Sequence, residues 1–288
     1  MVKTSVKRAG VAAPWGAMGS AARCLACYSV SSMKHIVSVS GGVGSYYTLQ
    51  RVIKAEGKEN VKGVFCDTLA EDGDLYRFLA DIENKTGIQL VRLCVGKTPY
   101  ELAYEDNYLY NSRMANCSRK LKSAPFRKWL ESEYSPQDCI IYLGIDWTET
   151  HRIEAITRNY APYTVKFPLC DPPYMSKDDM LSGLKKEGIE VPYMYRAGFT
   201  HNNCGGACFK AGIGHWRRLL EIDRRKYLEW ENKEEVLRRK LGKDVSILKR
   251  NGKPYTLKQL RETADAGGLQ LSFDEIYDIG GCGCFVEG

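Results

Sequence analysis

Apolar residues in this chain come in short runs, and the polar stretches between them carry a helical period. Residues 35–39 form a β-branched run with the length of a buried strand, and residues 46–55 read as the helix after it. Residues 61–66, 90–95 and 139–144 are three more strand-like runs. Between them, residues 74–87 put Leu75, Phe78, Leu79 and Ile82 on one helix face, and residues 99–107 and 124–133 also read as helical. Strands alternating with helices over residues 33–165 predict an α/β fold built on a doubly wound parallel sheet. Ligands of such sheets sit beyond the carboxyl ends of the strands.

After residue 165 the pattern changes. A proline-rich connection leads to Ser176, which caps a helix that stops at Gly188. Residues 192–209 read as loop, and 212–241 as one long charged helical stretch. Three regions are expected: a basic disordered extension over 1–32, a nucleotide-binding domain over 33–165, and a cysteine-rich helical cap over 166–288. Met33 is a candidate alternative start.

The turn after the first strand, Ser40-Gly-Gly-Val-Gly-Ser45, has the makings of a phosphate cradle. Its glycines allow close approach and positive φ, and the amides of the following helix start point at one place. Ser38, Ser40, Gly41, Gly42, Val43, Gly44 and Ser45 are the candidate contacts. The stretch fits neither G-x-x-x-x-G-K-[ST] nor G-x-G-x-x-G. Asp67 and Thr68 follow the second strand, and Gly144, Asp146, Glu149, His151 and Arg152 follow the fourth, so all are expected at one end of the sheet. Arg152 can grip phosphate through its planar fork, with Arg158 as second choice. Asp67 can bind ribose or Mg2+, joined by Glu71 or Asp74.

Composition changes this picture little. The chain has 288 residues, 44% hydrophobic and 27% charged, as expected of an ordinary globular protein with no apolar run of membrane-spanning length. The net charge of +7 arises largely before Glu56, the first acidic residue, so it is weak evidence for a nucleic-acid partner. Eleven cysteines with no secretory signal point to a reduced, cytoplasmic setting rather than a disulfide scaffold. Cys66, Cys94, Cys139 and Cys170 lie in or beside apolar runs and read as small core residues. Cys117, Cys204, Cys208, Cys282 and Cys284 stand in glycine- or asparagine-rich turns and are candidate metal ligands, for an iron–sulfur cluster or zinc. Cys24-Leu-Ala-Cys27 reads as incidental. His215 beside Trp216 reads as packing, and the basic cluster Arg113, Arg119, Lys120 and Lys122 as a possible phosphate or nucleic-acid contact.

The glycine turn resembles the Ser-Gly-Gly-x-Asp-Ser pyrophosphate loop of the ATP pyrophosphatases and sulfonucleotide reductases, with Gly44 where ATP-splitting members carry Asp. Asn116-Cys117-Ser-Arg-Lys-Leu-Lys122-Ser-Ala-Pro125 is similar to the Cys-Cys-x-x-x-Lys-x-x-Pro-Leu element of the phosphoadenylyl-sulfate reductase family. Phe167-Pro-Leu, Ser176-Lys-Asp-Asp-Met180 and Pro192-Tyr-Met-Tyr195-Arg-Ala-Gly198 resemble that family's later motifs, and Cys66-Asp67-Thr68 its Asp-Thr-Gly. The likeness runs over residues 34–210, in the manner of the phage and bacterial reductase-like proteins. It implies an adenine nucleotide α-hydrolase-type fold, ATP or another adenine nucleotide, and a [4Fe-4S] cluster on Cys117, Cys204 and Cys208, with Cys282 or Cys284 as fourth ligand. The reductases' C-terminal Glu-Cys-Gly-Leu-His has no counterpart here. The resemblance therefore favours ATP-dependent adenylation with sulfur transfer, nucleic acid being a candidate acceptor. The alternatives are sulfite release with a thioredoxin-like reductant, and nucleotide binding without turnover. An oligomer is compatible with all three.

Overall fold

The structure, a computed structural model, describes residues 33–111 and 116–277. Five short strands form its centre: β1 (Lys34–Ser38), β2 (Val61–Asp67), β3 (Val91–Cys94), β4 (Cys139–Tyr142) and β5 (Thr164–Lys166). They pair in the order β3-β2-β1-β4-β5, every pairing parallel. The helices of the first half are α1 (Val43–Glu56), α2 (Gly73–Thr86) and α3 (Pro99–Glu105). A continuous helical stretch follows, made of α4 (Asn116–Ser118), a π turn (Arg119–Ser123) and α5 (Ala124–Glu133), and then α6 (Ile153–Tyr160). The α/β class and the doubly wound parallel sheet are as the alternation of runs predicts.

The period of two along each strand sends side chains to two separate cores. Val37, Phe65 and Tyr142 pack with Tyr46, Leu49, Leu75, Phe78 and Leu79 under α1 and α2. Ile36, Val64, Cys66 and Ile141 face the other way, against Phe126 and Leu130 of α5 and Ile156 and Tyr160 of α6. Cys66 and Cys139 are buried, and burial pushes their thiols up to about 12 and about 11, as expected of inert core cysteines. Cys94 departs from that expectation and is exposed, because β3 is an edge strand whose alternate residues face solvent. Cys170 is only partly covered.

The chain returns to the sheet after residue 166. Helix α7 (Lys177–Lys186) places Met180 and Leu184 in the core under α1, so the described residues beyond 165 do not all belong to a separate cap. The two helices press together closely: a Cβ on Gly183 would lie 2.1 Å from the Tyr47 hydroxyl. Glu187, the C-cap of α7, accepts hydrogen bonds from Tyr46, from Tyr47 at 3.2 Å and from Gln50 at 2.8 Å, all on α1. Arg51 holds the proline-rich connection by donating to the carbonyls of Pro168 (2.6 Å), Asp171 (3.0 Å) and Pro173.

The remaining elements are α8 (Tyr193–Arg196), α9 (Ile213–Ile222), α10 (Arg224–Leu241), a hairpin of β6 (Leu248–Arg250) and β7 (Lys253–Tyr255), α11 (Leu257–Asp265) and α12 (Phe273–Tyr277). A third core of Trp216, Tyr227, Trp230, Leu237, Leu257 and Leu260 joins them to Leu102 and Tyr110. The single helix expected over 212–241 is two, divided at Asp223, whose carboxylate accepts from the Lys226 amide at 3.0 Å and caps the second. Residues 1–32, Arg113, Cys282 and Cys284 lie outside the described residues.

Buried Glu234 ties this region together by accepting from the amides of Ile247 (2.6 Å) and Leu257 (2.7 Å). Burial pushes its carboxyl up to about 7, opposed by those two donors. A Glu234→Gln variant presents an NH2 group to one of the two amides. It is expected to lose about 1–3 kcal/mol of stability in urea denaturation while secondary structure by circular dichroism is unchanged.

Candidate functional site

Strands β1 and β4 are neighbours, and the chain leaves them toward opposite sides of the sheet. That makes their carboxyl ends the topological switch point, where a crevice opens. A cavity of about 320 Å3 lies there. Its floor is Ser38, Ser40, Gly42, Val43, Gly44 and Ser45 on one side and Leu143, Gly144, Ile145 and Asp146 on the other.

The glycine turn is built as its composition suggests. Gly41 has φ +80°, and a Cβ there would lie 2.8 Å from Leu75, so the turn requires glycine. The Ser40 amide donates to Ser45 Oγ at 3.2 Å, and Ser45 Oγ donates to the Gly42 carbonyl at 2.7 Å, closing the loop on itself. Helix α1 starts from Gly42 without a side-chain cap and without an acidic residue in its first turn. The partial positive charge of its N-terminus is thus left for an anion in the crevice. Position 44 is open to a side chain: a Cβ would make ordinary contact at 3.4 Å with the Gly144 carbonyl.

Three predicted contacts stand elsewhere. Gly41 shapes the turn without lining the cavity. Asp67 is spent locally, accepting from the Leu69 amide and the Tyr76 hydroxyl, both at 2.8 Å. Thr68 is buried and donates to Glu71 at 3.0 Å. Asp67 and Thr68 follow β2, one strand away from the switch point, so neither lines the cavity.

Arg152 does line it, with Glu149 and His151, on the 3-10 turn Trp147–Arg152. Its guanidinium pairs with Glu149 three residues earlier at 2.5 Å. Asp146 begins that turn and accepts from the Thr148 amide at 2.8 Å. Both carboxylates in the cavity are therefore engaged. Arg158 is exposed on α6.

The far wall was not legible as a site. It consists of Lys177 and Met180 from α7, Tyr195 from α8 and the loop residues Thr200, His201, Asn202 and Asn203. Tyr195 accepts from the Val43 amide at 3.2 Å, and burial pushes its phenol up to about 12, so it keeps a proton to donate. Lys177 donates to the Thr200 carbonyl at 2.8 Å. Asn202 donates through Nδ2 to the Gly41 carbonyl at 2.8 Å, which fastens this wall to the glycine turn. The Thr200 Oγ1, His201 Nε2 and Asn202 Oδ1 atoms are buried without a hydrogen-bond partner. Buried polar atoms left open are uncommon, and three together on one cavity wall suit a polar ligand.

The cysteines sit at a second place. The Cys204 amide donates to Glu71 at 2.5 Å, and Glu71 is a fully buried carboxylate 3.5 Å from the buried ammonium of Lys122. Cys204 and Cys208 are hydrogen-bonded neighbours, and that contact, burial and Glu71 together hold the Cys204 thiol well above its ordinary range. Cys117 and Cys208 pack against the third core. Among the described residues, no group of three or more His, Cys, Asp or Glu side chains is arranged to hold a metal. Of the basic cluster, Lys120 pairs with Asp106 at 2.6 Å and Lys122 is buried with Glu71, so neither is a free phosphate contact. Trp216 is fully buried and His215 bonds the Gly206 carbonyl at 2.9 Å, the packing role expected of the pair.

Fold and cavity together define a doubly wound α/β protein with a crevice at its switch point, floored by the glycine turn. Among solved structures it is similar to the phosphoadenylyl-sulfate reductase of Candida auris, a phosphate complex: 13% identity, TM-score 0.43, covering 59% of this chain and 81% of that one. It is also similar to the NH3-dependent NAD synthetase of Campylobacter jejuni, a nitrate complex: 11% identity, TM-score 0.37, covering 84% of this chain and 90% of that one. No protein-family model and no curated protein sequence matches the chain. Among the described residues, no helix is long and apolar enough to cross a membrane.

Burial lowers the pKa of His201 to about 4, with Lys177, His215 and Arg152 adding to the fall. The unfolded chain therefore binds a proton on this residue between about pH 6.5 and 4 that the folded one does not. Its contribution, on the order of 3 kcal/mol, is present above pH 6.5 and lost as pH falls toward 4. Thermal melts of His201→Asn across that range are expected to show a shallower loss of stability than the parent protein.

Proposed function

We propose that this protein is a nucleotide-binding enzyme that cleaves ATP between the α- and β-phosphates, transferring adenylate to an acceptor and releasing pyrophosphate. The observation that carries this reading is the N-terminus of α1, with glycine as its N-cap and no acidic residue in its first turn, held by the glycine turn at the β1/β4 switch point and facing a cavity large enough for a small-molecule ligand. The start of α1 and the Ser40 hydroxyl, whose oxygen accepts from the Gly42 amide and whose proton stays available, hold the departing pyrophosphate. Arg152, Lys177 and the Tyr195 phenol stand opposite, placed to balance charge on the reacting phosphates. An acceptor oxygen attacks the α-phosphorus, the bond from that phosphorus to its β-bridging oxygen breaks, and pyrophosphate leaves with the electron pair. The acceptor's proton passes to solvent. Exposed Trp147 beside the cavity and Tyr174, with ring centroids 6.2 Å apart, offer a flat face for the base.

Sulfite release is the weaker reading. It needs a nucleophilic thiolate, and the C-terminal Glu-Cys-Gly-Leu-His that carries one in the reductases has no counterpart in this sequence. The family resemblance adds sulfur as the transferred group and a cluster on the cysteines. The described residues do not assemble a cluster site, and the reaction above is written without one.

Incubation with ATP and magnesium is expected to yield AMP-containing product and pyrophosphate, read by a pyrophosphate-specific assay; formation of ADP and phosphate instead would overturn the reading. Gly144→Ala tests the site. Its Cβ would lie 2.9 Å from the Ser45 amide nitrogen, forcing the turn to shift. Pyrophosphate affinity is expected to fall about tenfold, roughly 1.4 kcal/mol, with secondary structure retained by circular dichroism.

A further inference from the structure

The far wall of the cavity carries one group whose hydrogen-bonding sense is fixed. An asparagine amide can present either its oxygen or its nitrogen, and which it presents depends on its neighbours. In Asn202 the nitrogen donates to the Gly41 carbonyl at 2.8 Å, so the oxygen is left facing the other way. The residue is 1% exposed, lines the cavity, and its Oδ1 has no hydrogen-bond partner. Phosphate oxygens only accept, and suit the turn amides, Tyr195, Arg152 and Lys177. They do not suit an amide oxygen. The ligand must bring a donor of its own to this point.

We infer that Asn202 reads a hydrogen-bond donor on a phosphate-bearing nucleotide, either a ribose hydroxyl or the amino group of the base, and so makes this site selective among nucleotides. The inference rests on the nucleotide-binding reading above and names what that site selects. The physical basis is the cost of leaving a buried acceptor unpaired. A ligand that pairs with Asn202 gains one hydrogen bond, whereas an analogue lacking the donor leaves a desolvated oxygen behind. Thr200 Oγ1 and His201 Nε2, on the same loop, can take either sense and adapt to what Asn202 admits.

The test is a calorimetric panel on the full chain. The probes are α,β-methylene-ATP, which resists cleavage at the relevant bond, its 2′-deoxy, 3′-deoxy and inosine counterparts, and pyrophosphate alone. One analogue is expected to bind at least tenfold more weakly than the parent, and its identity says which donor is read: a deoxy analogue the ribose, the inosine analogue the base. In Asn202→Ala that preference is expected to shrink to within twofold, while any loss of pyrophosphate affinity from cutting the bond to the Gly41 carbonyl falls equally on every ligand of the panel. A general disturbance of the site would weaken every ligand together. If Asn202→Ala does not fold, the panel on the parent protein still decides.

Binding of all three analogues within twofold of the parent compound overturns the inference, as does an Asn202→Ala protein that keeps the same preference. A difference between parent and variant that vanishes when magnesium is removed also overturns it, since the oxygen then serves the cation. Pyrophosphate binding with no nucleotide binding overturns the nucleotide-binding reading and the inference with it. If neither binds, the nucleotide-binding reading itself fails.

Discussion

Two stretches of backbone meet at the switch point with no side chain between them. The end of β4 at Gly144 lies so close to Gly44 and Ser45 that even a methyl group would be 2.9 Å from the Ser45 nitrogen. This contact sets how far the glycine turn sits from the end of the sheet. It therefore sets where the first amides of α1 stand relative to the segment carrying Asp146, Glu149 and Arg152. The parallel pairing of β1 with β4 makes the contact possible, and the opposite departures of the chain leave the crevice open above it.

Around that crevice the polar groups divide by sense. Donors crowd the floor and flanks: the start of α1, the Ser40 hydroxyl, a protonated phenol, a guanidinium and an ammonium. The two carboxylates are each engaged with a neighbour on their own turn, so they add little net repulsion toward a phosphate. Against this, the amide oxygen of Asn202 is an acceptor on the far wall, its sense fixed by the bond its nitrogen makes to the Gly41 carbonyl. A site with this distribution suits a molecule that is anionic at one end and bears a neutral donor at the other.

Much of the sheet half was legible because the signals were local. The run at 35–39 with the glycine turn and helix after it, and the helix at 124–133, rest on short-range period and capping. Three strand ends were placed one or two residues too far, as at 144, where Gly144 leaves the ladder to meet the turn, whereas β2 runs one residue beyond the expected 66. The far wall was not legible. Thr200, His201 and Asn202 form an ordinary polar stretch in sequence, and only the fold brings them to Gly41, some 160 positions earlier. Lys177 read simply as the start of a helix. Asp67 and Thr68 misled for the complementary reason: a position just after a strand is shared by every strand, whereas the crevice lies at only one junction. The cysteines at 117, 204 and 208 were read from turn composition, which says nothing about distance. The described residues bring 204 and 208 together, and Glu71 with Lys122 occupies the space beside them.

Helix α7 spans the molecule between two commitments. Its C-cap, Glu187, is held by three donors of α1, and its first residue, Lys177, stands in the cavity and supports Thr200. The helix that starts from the glycine turn and the wall opposite it are in this way cross-braced, and Asn202 and Tyr195 add two further struts to the turn itself. Ordering these groups is accomplished when the chain folds and need not be repeated when a ligand arrives. A ligand that fits such a site is met by groups already held in place, and selectivity comes from how they are arranged.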